Sequence, residues 1–302
     1  MNAEITISGF SYVRNGIEMG YPFLEAIQSV LPICDEFIAV VGDSRDGTRE
    51  AILALNSPKI KIVDTVWDMN LRTGGKIFAQ QANAGVDAIT GKWGFHIQAD
   101  EVIHEEDLYK IKDAVYKYDQ DPEVEGFLFP FMNFWGGYNY IRTSRKVHRN
   151  EIRVFRNDKV ILAYRDSQGF RVYTSRKAYE NGEKGRKLNV VKVNIPVFHY
   201  SYVRPPKLMT KKGEVFHSFY DPSLVVDDAE KKEFKYESID KLEEFKGKHP
   251  KLMEKWVKGQ DWTFVYDKKK TTMPFKYRVL HFIEDLTGYR FFEYKNYRLL
   301  NK

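Results

Sequence analysis

Gly91-Lys92-Trp93-Gly94-Phe95-His96-Ile97-Gln98-Ala99-Asp100-Glu101 sets a small-residue turn before a short apolar run that stops abruptly in Gln98, Asp100 and Glu101. A strand buried along its length reads as a nearly unbroken apolar run, as parallel strands of α/β proteins do. Acids just past such a strand stand at the carboxyl edge of the sheet, where open α/β sheets bind ligands. Hard carboxylate oxygens there suit Mg²⁺ or Mn²⁺, which in turn bind the phosphates of a substrate.

The stretches before it supply the rest of such a sheet. Glu4 to Tyr12 alternates and reads as a first strand, broken by Arg14-Asn15-Gly16. Pro22 opens a helix with Leu24, Ile27 and Leu31 on one face. Phe37 to Val41 is a second strand, and the polar turn Gly42-Asp43-Ser44-Arg45-Asp46-Gly47-Thr48 starts the next helix. Ile60 to Trp67 is a third strand, Gly74-Gly75 opens a helix through about Thr90, and the fourth strand ends at Asp100. Leu108, Ile111, Val115 and Tyr118 mark a further amphipathic helix. Four strand–helix alternations predict a doubly wound, mostly parallel sheet.

Beyond residue 120 the pattern changes. Strands are expected at 126–134, 152–155, 160–164 and 191–202, with a glycine-hinged loop from Trp135 to Tyr140. Pro205-Pro206 separates a domain of residues 1–204 from a mainly helical extension, 205–302, with helices at 241–246 and 252–258.

Composition narrows the chemistry. A single cysteine, Cys34, leaves no internal disulfide framework and suits a reducing compartment. No apolar run approaches the roughly 20 residues of a spanning helix, and the N-terminus lacks a signal-peptide pattern, so a cytoplasmic protein is expected. A net charge of +6 favours anionic partners. Arg142, Arg145, Lys146, Arg149, Arg153 and Arg156 could bind a diphosphate or an anionic acceptor, or form a solvated face. No nucleic-acid module accompanies them, so nucleic acid is not an expected partner.

The order of elements and three motifs resemble the family 2 glycosyltransferases, which have the GT-A (Rossmann-like) fold. Ser44-Arg45-Asp46-Gly47-Thr48 is similar to that family's Ser-x-Asp-Gly-Thr turn. Asn83-Ala84-Gly85 with Ala88 and Gly91 is similar to its Asn-x-Gly…Ala…Gly run, and Gln98-Ala99-Asp100 falls where Asp-x-Asp is expected. The resemblance covers residues 4–135 well, 136–203 loosely, and not the C-terminal third.

The resemblance implies a transferase that moves a sugar from a nucleoside-diphosphate donor to a hydroxyl of a glycan or lipid-linked acceptor, with inversion. It implies Asp100 as a ligand of Mn²⁺ or Mg²⁺ and His199, at the end of a late strand, as a second ligand; otherwise Asp100 caps the next helix and His199 is a core residue. Gln98 replaces the first acid and would meet the ribose, and Glu101 is a ligand, a substrate contact or a cap. Phe10, Ser11 and Tyr12 would wall the base pocket, with Asp43 on the base or ribose and Lys76 on the nucleotide. Asp46 would cap the following helix. Asp166 is the expected general base, ahead of Asp158 and Glu151. The alternatives are a nucleotidyltransferase, which lacks its glycine-rich basic signature here, and a non-catalytic nucleotide- or glycan-binding protein, which Gln98 keeps open.

At the C-terminal end, Val279, Phe282, Ile283 and Leu286 make one apolar helix face, and Gly288 breaks the helix. That face either packs on the catalytic domain or on a second subunit, or touches an anionic membrane.

Overall fold

Strand β1 (Ile7–Val13) leads to helix α1 (Phe23–Val30), β2 (Glu36–Val41) to α2 (Thr48–Leu53), and β3 (Ile60–Asp64) to α3 (Lys76–Ala88). β4 (Trp93–His96) passes through a short strand β5 (Glu101–Ile103) to α4 (Leu108–Tyr118). The computed structural model that shows this describes residues 6–71, 73–165, 169–218, 233–237 and 239–302. The later elements are β6 (Gly126–Trp135), β7 (Tyr140–Arg142), β8 (Asn150–Arg156), β9 (Ile161–Ala163), β10 (Phe170–Val172), α5 (Arg176–Glu180), β11 (Arg186–Lys192) and β12 (Val197–Tyr202). They are followed by α6 (Pro206–Ser218), β13 (Leu242–Glu244), α7 (Glu254–Lys258), α8 (Phe275–Thr287) and β14 (Tyr297–Leu299).

The main sheet runs β3-β2-β1-β4-β8-β6-β11-β10-β9. β1 is parallel to β2 and β4, and β2 to β3, while β8 is antiparallel to both its neighbours. The fold is therefore a mixed α/β architecture on a largely parallel sheet, as the alternation predicts. The chain winds outward from β1 to β3 and then returns to place β4 on the other side of β1. The carboxyl ends of β1 and β4 thus form the point where strand order reverses, the usual place for a ligand crevice.

Every residue of β2 and β4 is buried, which is what their unbroken apolar runs require. β3, at the sheet edge, is half-exposed. The small residues of the motif stretch have packing duties. A side chain at Gly85 would put its Cβ 2.4 Å from the Phe10 ring, and one at Gly91 would reach within 2.6 Å of Ser8 Oγ. Asn83 holds edge strand β9 as a ladder residue would, accepting from Ala163 N (2.8 Å) and donating to Ala163 O (2.9 Å).

Several boundaries differ from the sequence reading. β4 stops at His96, not Asp100, because Glu101 N turns back to donate to Gln98 O (3.0 Å) and the chain then pairs as β5 with β12. The expected strand at 191–202 is two strands, since Pro196 has no N–H for a ladder. Residues 242–244 pair with β7 as a strand, so the helix expected at 241–246 is corrected. The second expected helix is present as a single 3₁₀ turn running into α7 behind Pro250. Helix α1 buries Phe23, Ala26, Ile27 and Val30, with Leu24 and Leu31 only half-buried at the margin.

Glu36 locks the turn that delivers β4. Its Oε1 accepts from Ser8 Oγ (2.7 Å), Thr90 N (2.6 Å) and Thr90 Oγ1 (2.8 Å), while Lys61 meets Oε2 at 2.7 Å. Burial opposes its charge, but Lys61, Ser8 and Thr90 outweigh that and bring its carboxyl down to about 2. Its folded value lies below its unfolded one, so its stabilisation is full above about pH 4.5 and is lost as pH falls toward about 2. Glu36→Gln is expected to cost about 1–3 kcal/mol in urea unfolding at pH 7 and roughly half as much or less at pH 3. An equal cost at both pH values contradicts this role.

Candidate active site

Asp100 and His199 meet because β12 pairs with the chain just past β4. Tyr200 N donates to Asp100 O (2.8 Å), and His199 lies in register with Glu101. This sets His199 Nε2 3.8 Å from Asp100 Oδ1. The tautomer follows from the hydrogen bonds behind the ring. Asn133 Nδ2 donates to His148 O (2.9 Å), which leaves Asn133 Oδ1 to accept. His199 Nδ1, 2.8 Å from that oxygen, therefore carries the proton, and Nε2 presents a lone pair toward the carboxylate. Burial holds the imidazole below its ordinary value despite Asp100 and Glu101, so it is neutral at pH 7.

Two acceptors thus face one another with no proton between them, one a hard oxygen and one an imidazole nitrogen. That donor pair fits a divalent ion that accepts nitrogen, Mn²⁺ before Mg²⁺. Among the described residues there is no group of three or more His, Cys, Asp or Glu that could hold a metal, so the rest of its shell must come from ligand or water. The second carboxylate oxygen faces cations. Asp100 Oδ2 lies 3.5 Å from Lys212 Nζ and 3.7 Å from Arg204 Nη2. Burial would raise the Asp100 carboxyl, but Lys212, His199, Arg204 and the Ser201 hydroxyl together hold it well below the carboxylate range. Lys212 is pushed down to about 7 by burial and by Arg204, against Asp100.

Arg204 is fixed by bonds to Gly20 O (3.1 Å) and Ser201 O (2.7 Å). Its Nη2 is buried and has no hydrogen-bond partner among the described residues. An unsatisfied guanidinium nitrogen beside a buried carboxylate is a donor waiting for an anionic oxygen.

Asp100, His199, Asn133 and Lys212 line a cavity of about 750 Å³ at the switch point, with Arg204 buried behind Asp100. Its other end is aromatic. Trp67 packs edge-on against Phe78 (5.7 Å between centroids), Tyr12 lies against both, and Phe216 of α6 stacks on Phe78 at 6.0 Å. Tyr12 also stacks on the buried His96 (5.9 Å), which in turn stacks on Phe10 (4.9 Å). An aromatic end joined to a cationic, metal-ready end suits a base linked to a diphosphate.

The expected site residues separate into three groups. Tyr12, Gln98, Asp100 and His199 all line this cavity. Phe10 does not: it is fully buried in the core behind His96, and Ser11 is buried without reaching the cavity. Asp43 lies behind the wall, where its Oδ2 accepts from Arg14 Nη2 (2.9 Å), and Arg14 is the residue that lines the cavity. Lys76 is exposed at the start of α3 and does not line it. Asp166 lies outside the described residues. Of the other two acids weighed with it, Asp158 is exposed in the turn after β8, while Glu151 is buried, lines the cavity and meets His148 Nδ1 at 3.1 Å.

Glu101 borders the cavity, but its carboxylate is engaged in an ion pair. It is fully buried and bidentate to Arg153, at 2.6 and 2.7 Å. Asp46 ties the loop after β1 to the start of α2, accepting from Glu18 N (2.8 Å) and Thr48 N (3.1 Å). The arginine run is dispersed rather than a single face: Arg153 is buried, Arg156 binds the carbonyls of Tyr118, Asp119 and Asp121, and Arg145 meets Glu284 at 2.8 Å. Only Arg142, Lys146 and Arg153 of that run line the cavity.

The sequence reading missed Lys212, Arg204, Asn133, Trp67 and Phe78. The lysine shares helix α6 with Lys207 and Lys211, and only its three-dimensional place distinguishes it.

No protein-family model matches the chain, and no curated protein matches it. Among solved structures it is similar to glucosyl-3-phosphoglycerate synthase from Mycobacterium tuberculosis in complex with Mn²⁺, UDP and phosphoglyceric acid: 14% identity, 72% of this chain and 76% of that one, TM-score 0.42. It is also similar to a fragment of S. aureus TarS, at 15% identity over 75% of this chain and 68% of that one, TM-score 0.38. A mannosyltransferase from Pyrobaculum calidifontis in complex with GDP-Man and Mn²⁺ matches 42% of this chain and 35% of that one at 19% identity, TM-score 0.33. At TM-scores this low, the chemistry is read from the side chains alone.

Proposed function

We propose that the protein is a divalent-metal-dependent glycosyltransferase that takes a nucleoside-diphosphate sugar as donor and a hydroxyl as acceptor, with inversion at the anomeric carbon. The observation that carries this is the pair of facing lone pairs, His199 Nε2 and Asp100 Oδ1, at the strand-order switch point with Lys212 and Arg204 on the other carboxylate oxygen. A bound Mn²⁺ or Mg²⁺ would be held by Asp100 and His199 and would neutralise charge on the departing diphosphate.

The residues of the chain divide the remaining work. Tyr12, Trp67 and Phe78 stack the base, and Gln98 supplies a neutral amide at the ribose. Arg204 brings fixed positive charge behind Asp100 on the diphosphate side, and Lys212, at about 7, adds an ammonium whose proton an anionic ligand would hold. In the transfer, the acceptor oxygen bonds to the anomeric carbon as the carbon–oxygen bond to the diphosphate breaks, and that electron pair leaves with the diphosphate. The acceptor proton passes to a carboxylate, a role we assign to Glu151, which lines the cavity. His148 beside it fixes its orientation.

Glu151→Gln is expected to slow sugar transfer by roughly 10²–10⁴ while leaving donor affinity within about twofold. The checks are release of nucleoside diphosphate in the presence of Mn²⁺ across UDP-, GDP-, dTDP- and CDP-sugars, and donor titration by calorimetry. Unchanged transfer by Glu151→Gln, with loss on Asp166→Asn, would return the base to Asp166. Binding of a donor with no release under any acceptor mixture would favour the non-catalytic alternative.

A further inference from the structure

Helix α8 packs on the protein by its polar side. His281 is buried, and Glu284, 13% exposed in its side chain, meets Arg145 at 2.8 Å, Arg290 at 2.8 Å and Arg149 at 3.7 Å. Arg145 also donates to the Phe291 carbonyl. The opposite side carries Phe275, Val279, Phe282 and Leu286, which fall within an arc of about 60° at 100° per residue. These four are 79%, 41%, 67% and 76% exposed. Gly288, in the left-handed conformation, ends the helix, and Phe292, 90% exposed, follows. An amphipathic helix normally does the reverse, so this apolar face is held out for an occupant.

Charge identifies the occupant. From Asp267 to Lys295 there are seven Lys or Arg and four Asp or Glu, and Glu284 is one of the four, spent on the inward ion pairs. Lys268, Lys269 and Lys270 are exposed just before α8, and Lys276 and Arg278 are exposed within it. A second copy of the chain would bring the same basic rim against this one. A bilayer with anionic lipids meets the rim with opposite charge and accepts the rings between its headgroups.

We infer that α8 is a peripheral membrane-docking helix, lying flat on an anionic bilayer with Phe275, Phe282 and Leu286 inserted. With 13 residues it is too short to span, and no helix among the described residues is long and apolar enough to cross a membrane. The helix also grips the cavity wall. Arg145 and Arg149, held by Glu284, flank Lys146, Val147 and His148, which line the cavity. Docking would therefore set the acceptor side of the cavity beside the lipid surface, so a lipid-linked acceptor is the substrate class that fits. The docking stands on α8 itself; only this consequence rests on the glycosyl-transfer reading.

The test is flotation of the full chain with vesicles of phosphatidylcholine plus phosphatidylglycerol, against phosphatidylcholine alone, at low and high salt, alongside sedimentation without lipid. The expected result is salt-sensitive flotation with the anionic vesicles only. Phe275→Ser/Phe282→Ser/Leu286→Ser should abolish it with an unchanged melting temperature, because all three side chains are already exposed. Lys268→Ala/Lys269→Ala/Lys270→Ala should lower partitioning by up to roughly a hundredfold. Absence of flotation at low salt overturns the inference. So does a dimer in solution that the apolar triple variant dissociates while flotation is absent, which would make a second copy the occupant. Neither readout involves turnover, so the docking can fail while the transferase reading stands, and the reverse.

Discussion

On the glycosyl-transfer reading, Asp100→Asn is expected to lower metal-dependent turnover about a thousandfold or more and to leave a folded protein. The substitution keeps the shape of the side chain but removes the anionic oxygen that faces His199 Nε2 at 3.8 Å. Loss of a metal contact at the leaving group costs several kcal/mol of transition-state stabilisation, and each 1.36 kcal/mol is a factor of ten in rate. Mn²⁺ affinity should fall in parallel, which titration followed by electron paramagnetic resonance reads directly. Stability should change far less. Arg204 keeps its bonds to Gly20 O and Ser201 O, and Lys212 keeps Ser201 O (2.9 Å) and Ser201 Oγ (2.6 Å). Lys212, brought down to about 7 with Asp100 present, would lose the partner that holds its proton and could shed it rather than remain a buried unpaired charge. Near-normal turnover with Mn²⁺ would place the leaving-group chemistry elsewhere.

The parts of the fold that were legible are those set by local pattern. β2 and β4 are buried on both faces, so their apolar runs announce them, and the polar turns that end them follow directly. The motif stretch was legible as a position but less so as a set of roles. Ser44, Asp46 and Thr48 turn out to accept from the backbone N–H groups of Asn15, Glu18 and Gly16, so that turn builds the loop after β1 instead of touching a ligand. Asn83 spends both ends of its amide on β9. What stayed hidden depends on partners far away in sequence. Arg204 and Lys212 reach Asp100 across about a hundred residues, and nothing in the spacing of α6 marks one lysine as buried. The same holds for α8: periodicity located its apolar face, but periodicity does not say whether a face turns inward. The three ion pairs of Glu284 decide that, and their arginines lie at 145, 149 and 290.

Glu101 shows how this long-range dependence becomes energy. Its carboxylate is fully buried, accepts two short bonds from Arg153 (2.6 and 2.7 Å) and also accepts from Gln98 N (3.1 Å). The guanidinium lies over the Phe131 ring at 4.8 Å and donates to Ile152 O (2.9 Å). The pair joins the turn that presents Gln98 and Asp100 to β8 on the far wall. Breaking a buried pair from one side leaves an uncompensated charge and costs about 3–5 kcal/mol. The two sides are not equivalent. In Arg153→Met the stranded Glu101 can take up a proton, whereas in Glu101→Gln the stranded arginine cannot release one. Glu101→Gln is therefore expected to be the more damaging, by up to about 5 kcal/mol in urea unfolding, and Arg153→Met the less damaging. The double variant Glu101→Gln/Arg153→Met should be more stable than Glu101→Gln alone, because it removes the orphaned charge. If Glu101→Gln unfolds at the wild-type urea midpoint, the pair does not hold the turn, and the placement of Asp100 must rest on the Tyr200–Asp100 backbone bond instead.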